Sequence, residues 1–172
     1  MNRSVLAKYI ICSLVSLMVF GGMMGVSGAS ANSHDPVDAL LELLAGNDRF
    51  SSGQSTHPNL SAERRELVTS GGQHPFATVI ACSDSRVPVE MLFDQGVGDI
   101  FVIKVAGNVC NTDEIGSIEY GVDHLDTPVM VVLGHTHCGA CTAVATGADV
   151  HGCIPDLIAP INPALQKVYA AH

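Results

Sequence analysis

The stretch Phe76-Ala77-Thr78-Val79-Ile80-Ala81 runs without a charge into Cys82-Ser83-Asp84-Ser85-Arg86. A short apolar run that stops at polar residues reads as a buried strand. Immediately beyond it a thiol, a carboxylate and a guanidinium stand at every second position. If the backbone stays extended there, Cys82, Asp84 and Arg86 share one face. A second apolar run, Val129-Met130-Val131-Val132-Leu133, leads in the same way into His135-Thr136-His137-Cys138. Two strands that each end in metal-ligating residue types predict one metal site built from both.

Between and around these runs the chain alternates strand, polar loop and helix. The strands are predicted at 76–81, 100–105 and 129–133, with a short helix near Val89 to Phe93 behind Pro88. A longer helix spans Thr112 to Leu125, where Ile115, Ile118, Val122 and Leu125 recur at helical spacing. Strands alternating with helices imply an α/β fold with a parallel β-sheet flanked by helices. In such a sheet the carboxyl ends of all strands lie on one rim, where ligands bind at a reversal of strand order. A 2-1-3 order places Cys82 beside His135 and Cys138.

Upstream, Asp35-Pro36 is a capped helix start, followed by the stripe Val37, Leu40, Leu41, Leu44 and Phe50. This is an N-terminal helical arm. A second short helix begins at Ser61 and ends at Gly71-Gly72. Downstream, helices are expected at about 140–146 and 163–170, separated by a Gly- and Pro-containing segment, 147–160.

Residues 1–31 are of a different kind. Arg3 and Lys8 precede an uncharged apolar run from Tyr9 to Val26, and small residues close the segment at Ala29-Ser30-Ala31. That is a secretory signal peptide pattern with cleavage after Ala31, so a periplasmic destination is expected; an uncleaved anchor is the alternative. Residues 32–172 then form one domain, a reasonable length for a single core. Removing Arg3 and Lys8 leaves 6 basic residues against 17 acidic, a net charge of −11. So acidic a surface argues against nucleic acid or an anionic membrane as partner after cleavage, and for a small-molecule substrate. Five cysteines remain, Cys82, Cys110, Cys138, Cys141 and Cys153, an odd number that suits a disulfide framework poorly. Those not engaged by metal, Cys110, Cys141 and Cys153, could pair or stay buried, and the sequence does not decide which.

Zinc accepts Cys and His in tetrahedral geometry, and a catalytic site leaves one position open. Cys82, His135 and Cys138 supply three ligands. Two thiolates make the centre formally neutral, so it acidifies water less than an all-histidine site and activity is expected to rise toward alkaline pH. Asp84 has two roles open to it: accepting a hydrogen bond from zinc-bound hydroxide, or closing the site as a fourth ligand. A bidentate Arg86 would hold it off the metal. Gly139, at a predicted helix start, can offer an unobstructed N–H to an anion.

With Cys82-x-Asp84-x-Arg86 and His135-x-x-Cys138 both intact, the chain resembles the β-class carbonic anhydrases. The resemblance runs from about Ala39 to Ala164 and includes Gly46-Asn47-Asp48-Arg49-Phe50, Gln73-x-Pro75-Phe76 and Ala106-Gly107-Asn108. It implies zinc-dependent, reversible hydration of CO2 to bicarbonate and a proton. By matching positions it makes Gln73 a substrate-orienting residue and Phe101 and Tyr120 lining residues of an apolar CO2 pocket, some of them contributed by a neighbouring subunit. A homodimer or larger homo-oligomer is therefore implied, with the N-terminal arm wrapped on the partner. Members of the family continue past this chain's end with further helices and an edge strand, so the chain is expected to be C-terminally shortened. Lys104 stands where many members have Arg, and without any Trp the family's inhibitory bicarbonate site is not carried over.

Two other readings compete. Cys138-Gly139-Ala140-Cys141 is a C-x-x-C opening a helix, as in thioredoxin-like disulfide oxidoreductases, but it leaves Cys82, Arg86 and His135 without a task. A non-catalytic zinc module would close Cys82, Asp84, His135 and Cys138 around the ion. Of the other histidines, His137 lies inside the metal loop and could carry protons, whereas His34, His57, His124, His151 and His172 read as surface or loop residues.

Overall fold

A computed structural model of the chain describes residues 35–171. The predicted signal peptide, residues 1–31, and His34 and His172 lie outside the described residues. Ten elements follow one another: α1 (Pro36–Ser51), α2 (Ala62–Gly71), β1 (Ala77–Cys82), α3 (Val89–Leu92), β2 (Ile100–Val105), α4 (Thr112–Glu119), β3 (Met130–Leu133), α5 (Gly139–Thr146), α6 (Ile154–Ile158) and α7 (Ile161–Ala170). No helix among the described residues is long and apolar enough to cross a membrane.

The three strands form one parallel sheet in the order β2-β1-β3. All six residues of β1 are buried, as expected of a central strand covered on both faces. Ala77, Val79 and Ala81 pack with Leu43, Val87, Val89, Phe93 and Ile100 to form the core. Cys82 pairs with Val105, and Ala81 with Leu133, so the carboxyl ends of the strands share one rim.

Helix starts follow the side chains that cap them. Asp35 accepts the Val37 N–H at 2.8 Å and Ser61 accepts the Arg64 N–H at 3.1 Å. The long helix expected to run to Leu125 is regular only to Glu119; Tyr120–His124 continue it as a wider π turn. α6 forms within the Gly- and Pro-containing segment 147–160, with Pro155 in its first turn, where a missing N–H costs nothing.

The arm is attached to its own domain by residues other than the large apolar stripe. α1 buries Ala39, Leu43 and Gly46, while Val37, Leu40, Leu41, Leu44 and Phe50 stay exposed. Small residues set this choice, because a Cβ on Gly46 would overlap the carbonyl oxygen of Phe93. The next residues fasten the contact. Asn47 Nδ2 donates to the Leu92 carbonyl at 2.9 Å, and Arg49 Nε donates to Asp94 Oδ2 at 2.6 Å. Asp94 also accepts the N–H groups of Thr56 and His57, and these bonds, Thr56 first, hold its carboxyl well below the usual carboxylate range despite burial.

Candidate metal centre

β1 ends at Cys82, and the backbone does not stay extended beyond it. The Val87 N–H donates to the Asp84 carbonyl at 3.0 Å, closing a turn. Asp84 causes the turn, since its Oδ1 accepts the Arg86 N–H at 2.9 Å, the short-range bond by which aspartate favours turns. The expected Asp84–Arg86 pairing is nevertheless present, reached by a tight loop. Arg86 Nε donates to Oδ1 at 2.9 Å and Nη2 to Oδ2 at 2.7 Å, a bidentate fork. These bonds, the side-chain ones first, hold Asp84 well below the usual carboxylate range, so it is ionised at neutral pH.

Beyond β3 the chain turns through His137, whose backbone lies in the left-handed region at φ 56°, and enters α5 with Cys138 at the cap position. The ligand atoms of Cys82, His135 and Cys138 all lie within 4.8 Å of one another. The two sulfurs are 3.9 Å apart. Sulfurs about 2.3 Å from a tetrahedral zinc would be separated by about 3.8 Å. His135 Nδ1 lies 3.0 Å from the Thr136 carbonyl, which can only accept, so Nδ1 carries the proton and Nε2 keeps a lone pair. Nε2 is buried and has no protein hydrogen-bond partner. A buried acceptor beside two thiols, with nothing to satisfy it, fits a metal ion.

Several neighbours hold the ligands in place. The Gly107 N–H donates to Cys82 Sγ at 3.3 Å. Burial acts to raise the Cys138 thiol, but the Cys141 N–H, the Cys141 thiol, the Ala140 N–H and the Cys82 thiol together bring it below its ordinary value. Cys141 is pushed up to about 11 by desolvation and by the charge on Cys138. Arg86 Nη2 also donates to the His137 carbonyl at 3.1 Å, tying the two halves of the site together. Asp84 Oδ2 lies 3.9 Å from His135 Nε2.

Of the other residues expected at the site, Gly139 begins α5 with open space where a Cβ would stand. His137 has an exposed side chain beside the ligands. Gln73, Phe101 and Tyr120 are not brought to the ligands within one chain. Phe101 pairs with Thr78, four residues back along β1 from Cys82, a separation of about 13 Å. Tyr120 packs on Phe101 with ring centroids 5.9 Å apart, and Gln73 precedes β1 at that same end. For the spare cysteines the sequence left the state open; Cys110, Cys141 and Cys153 are free and exposed. Two contributors that the sequence noted only through the family resemblance gain a role here. Gly107 acts through its backbone, and Lys104 donates from Nζ to the Val87 carbonyl at 2.8 Å, bracing the turn that carries Asp84.

Residues 77–172 match the family model described as carbonic anhydrase. The chain is 44% identical over 135 residues to a carbonic anhydrase of Mycolicibacterium smegmatis, an alignment covering 76% of this chain and 65% of that protein. It thus spans about two thirds of that relative's length. Among solved structures it is similar to a Coccomyxa β-carbonic anhydrase in complex with acetazolamide, at 30% identity and a TM-score of 0.56, covering 77% of this chain and 60% of that one. The fold is also shared with a tetrameric β-carbonic anhydrase of Sordaria macrospora, at 23% identity and a TM-score of 0.57, covering 78% and 67%. A thioredoxin-like reading is not favoured, since none of these relatives is an oxidoreductase and Cys138 is gathered with Cys82 and His135.

Proposed function

The chain belongs to the β-class of the carbonic anhydrase family, and from that premise we propose that it catalyses the reversible hydration of CO2 to bicarbonate and a proton, with zinc held by Cys82, His135 and Cys138. The observation that carries the proposal is the buried, partnerless Nε2 of His135 beside two sulfurs 3.9 Å apart. Zinc bound there supplies Lewis acidity, which lowers the pKa of water toward the neutral range.

The chain's own residues do the rest. Ionised Asp84 is an acceptor only, so it can orient a water O–H beside the ligands. Arg86 occupies both of its oxygens along one edge, which keeps the carboxylate off the metal and leaves lone pairs for that task. The Gly139 N–H is available to an oxygen anion, as at other unobstructed helix starts. His137 is exposed and next to the site, suited to passing the released proton to solvent.

Homo-oligomerisation is part of the proposal. Gln73, Phe101 and Tyr120 lie at the far end of the strands from the ligands, so a pocket that uses them needs a second copy to bring them there. Export by the segment 1–31 is also proposed, and N-terminal sequencing of exported protein beginning at Asn32 is the expected result.

CO2 hydration measured on purified protein across about pH 7 to 9, with zinc determined on the same sample, tests the central reading. Zinc near one per chain with hydration that rises toward alkaline pH is expected. Zinc-loaded, oligomeric protein that does not hydrate CO2 would overturn it.

A further inference from the structure

Cys138 and Cys141 occupy the cap and the third position of α5, one turn apart. Positions three apart at a helix start lie on one face with Cβ atoms about 5–6 Å apart, so the Cys141 thiol is within reach of the Cys138 sulfur. Cys82 also lies near Cys138, but its backbone is fixed in β1 and its sulfur already accepts the Gly107 N–H. A disulfide requires the sulfurs to close to about 2.05 Å. Cys141 can approach by changing its own rotamer, since it is exposed and is not one of the three ligands. Bringing Cys82 to Cys138 would instead draw together two buried and separately anchored backbones. The thiol that neighbours the site without ligating it is therefore the better partner.

We propose that Cys138 and Cys141 form a disulfide that excludes metal from the Cys82, His135 and Cys138 site, so that a small-molecule disulfide locks the site in a metal-free state. The inference rests on the metal-holding role given to Cys138. The exchange balances in atoms and electrons. One protein sulfur attacks the oxidant's S–S bond, giving a mixed disulfide and one released thiol. The second protein sulfur then displaces the other half. The Cys138–Cys141 bond has formed, the oxidant's S–S bond has broken, and two electrons have passed from protein to oxidant. The Cys141 proton leaves on one released thiol, and the other takes its proton from solvent. Cys138 no longer has a thiolate to give, so the metal ion departs.

The test uses the full chain with Cys12, Cys110 and Cys153 replaced by serine, leaving Cys82, Cys138 and Cys141. Zinc is first determined on the reduced protein, which checks the metal reading separately from the disulfide. Oxidised glutathione is then added while zinc release is followed with a chromogenic chelator and free thiols are counted by alkylation and intact mass. The expected result is loss of two thiols without added glutathione mass, together with release of about one zinc per chain. Dithiothreitol and zinc should restore both. Cys141→Ala and Cys141→Ser should keep their zinc under the same oxidant. Zinc release from either variant at the parental rate would overturn the proposal, because oxidation would then run through Cys82. An oxidised parent with the internal disulfide and undiminished zinc would overturn it as well. Protein that forms the Cys141-dependent disulfide but binds no zinc when reduced would overturn the lock, and the metal reading with it.

Discussion

Arg86 joins both halves of the site through one side chain, with two bonds to Asp84 and one to the His137 carbonyl. None of these groups is a metal ligand, so the arginine's effect must appear in turnover more than in metal retention. Arg86→Ala is expected to keep its zinc and to lose hydration by about 10–100-fold, the usual range when a group orienting a metal site is removed. Cys82→Ser is expected to lose the metal. Zinc content and hydration measured on the same preparations separate the two effects. Asp84 and Asp94 also set an acid limit. Each has its folded pKa depressed below the unfolded value of about 3.9, so each contributes stability that is fully present above that value. The contribution is lost as pH falls below it toward the folded pKa. Thermal midpoints should therefore be flat near neutrality and fall once the pH drops below about 4. Asp94→Asn should lower the neutral midpoint and flatten that acid limb. A limb as steep as the parent's would assign it to other carboxylates.

The strand and helix order was legible because apolar runs and capping residues act locally: the run 76–81 and the Asp35 cap stand in the structure within a residue of their expected places. What escaped the sequence depends on close approach. The stripe of large apolar residues marks the exposed face of α1, whereas the face buried within the chain is chosen by Ala39 and Gly46, which let the helix backbone approach Phe93. The candidate metal-ligand set, Cys82, His135 and Cys138, was legible as residue types at strand ends. The distance of Phe101 and Tyr120 from it was not, because that distance is set by register between β1 and β2. Gly107 belongs to the same category. It sits at φ 74°, its N–H reaches Cys82, and a Cβ would come within 2.8 Å of the Ala140 methyl carbon and 2.7 Å of Ile161. A side chain there is strained by the backbone and crowded by α5 and α7 at once. Gly107→Ala is expected to destabilise the fold by roughly 1–3 kcal/mol and to loosen zinc, since the displaced backbone carries the N–H that Cys82 accepts. Urea midpoints and zinc affinity would check this. A fold weakened by that amount with unchanged zinc affinity would detach Gly107 from the site.

At the scale of the molecule, the distribution of apolar surface and the split in the expected pocket point the same way. Val37 and Leu41 are 62% and 55% exposed on α1, and Val132 is 65% exposed on the edge strand β3. Meanwhile the ligands stand at one end of the strands, and Gln73, Phe101 and Tyr120 at the other. A second copy that covers the arm could deliver those three residues to a neighbour's ligands. On that arrangement association would be a condition for activity and not for metal binding. Replacing Leu41 and Leu44 by serine removes apolar surface from the exposed face of α1 and leaves the buried Ala39, Leu43 and Gly46 in place. The variant is expected to fold with the parent's helical circular dichroism and to hold zinc, yet to sediment as a monomer and to lose hydration. By contrast Leu43→Ala, on the buried face, should cost about 2–5 kcal/mol of stability, as deletion of a core leucine does. Sedimentation velocity, zinc content and hydration on the two variants distinguish the faces. A Leu41/Leu44 monomer that hydrates CO2 at the parental rate would mean that one chain's ligands and its own residues suffice.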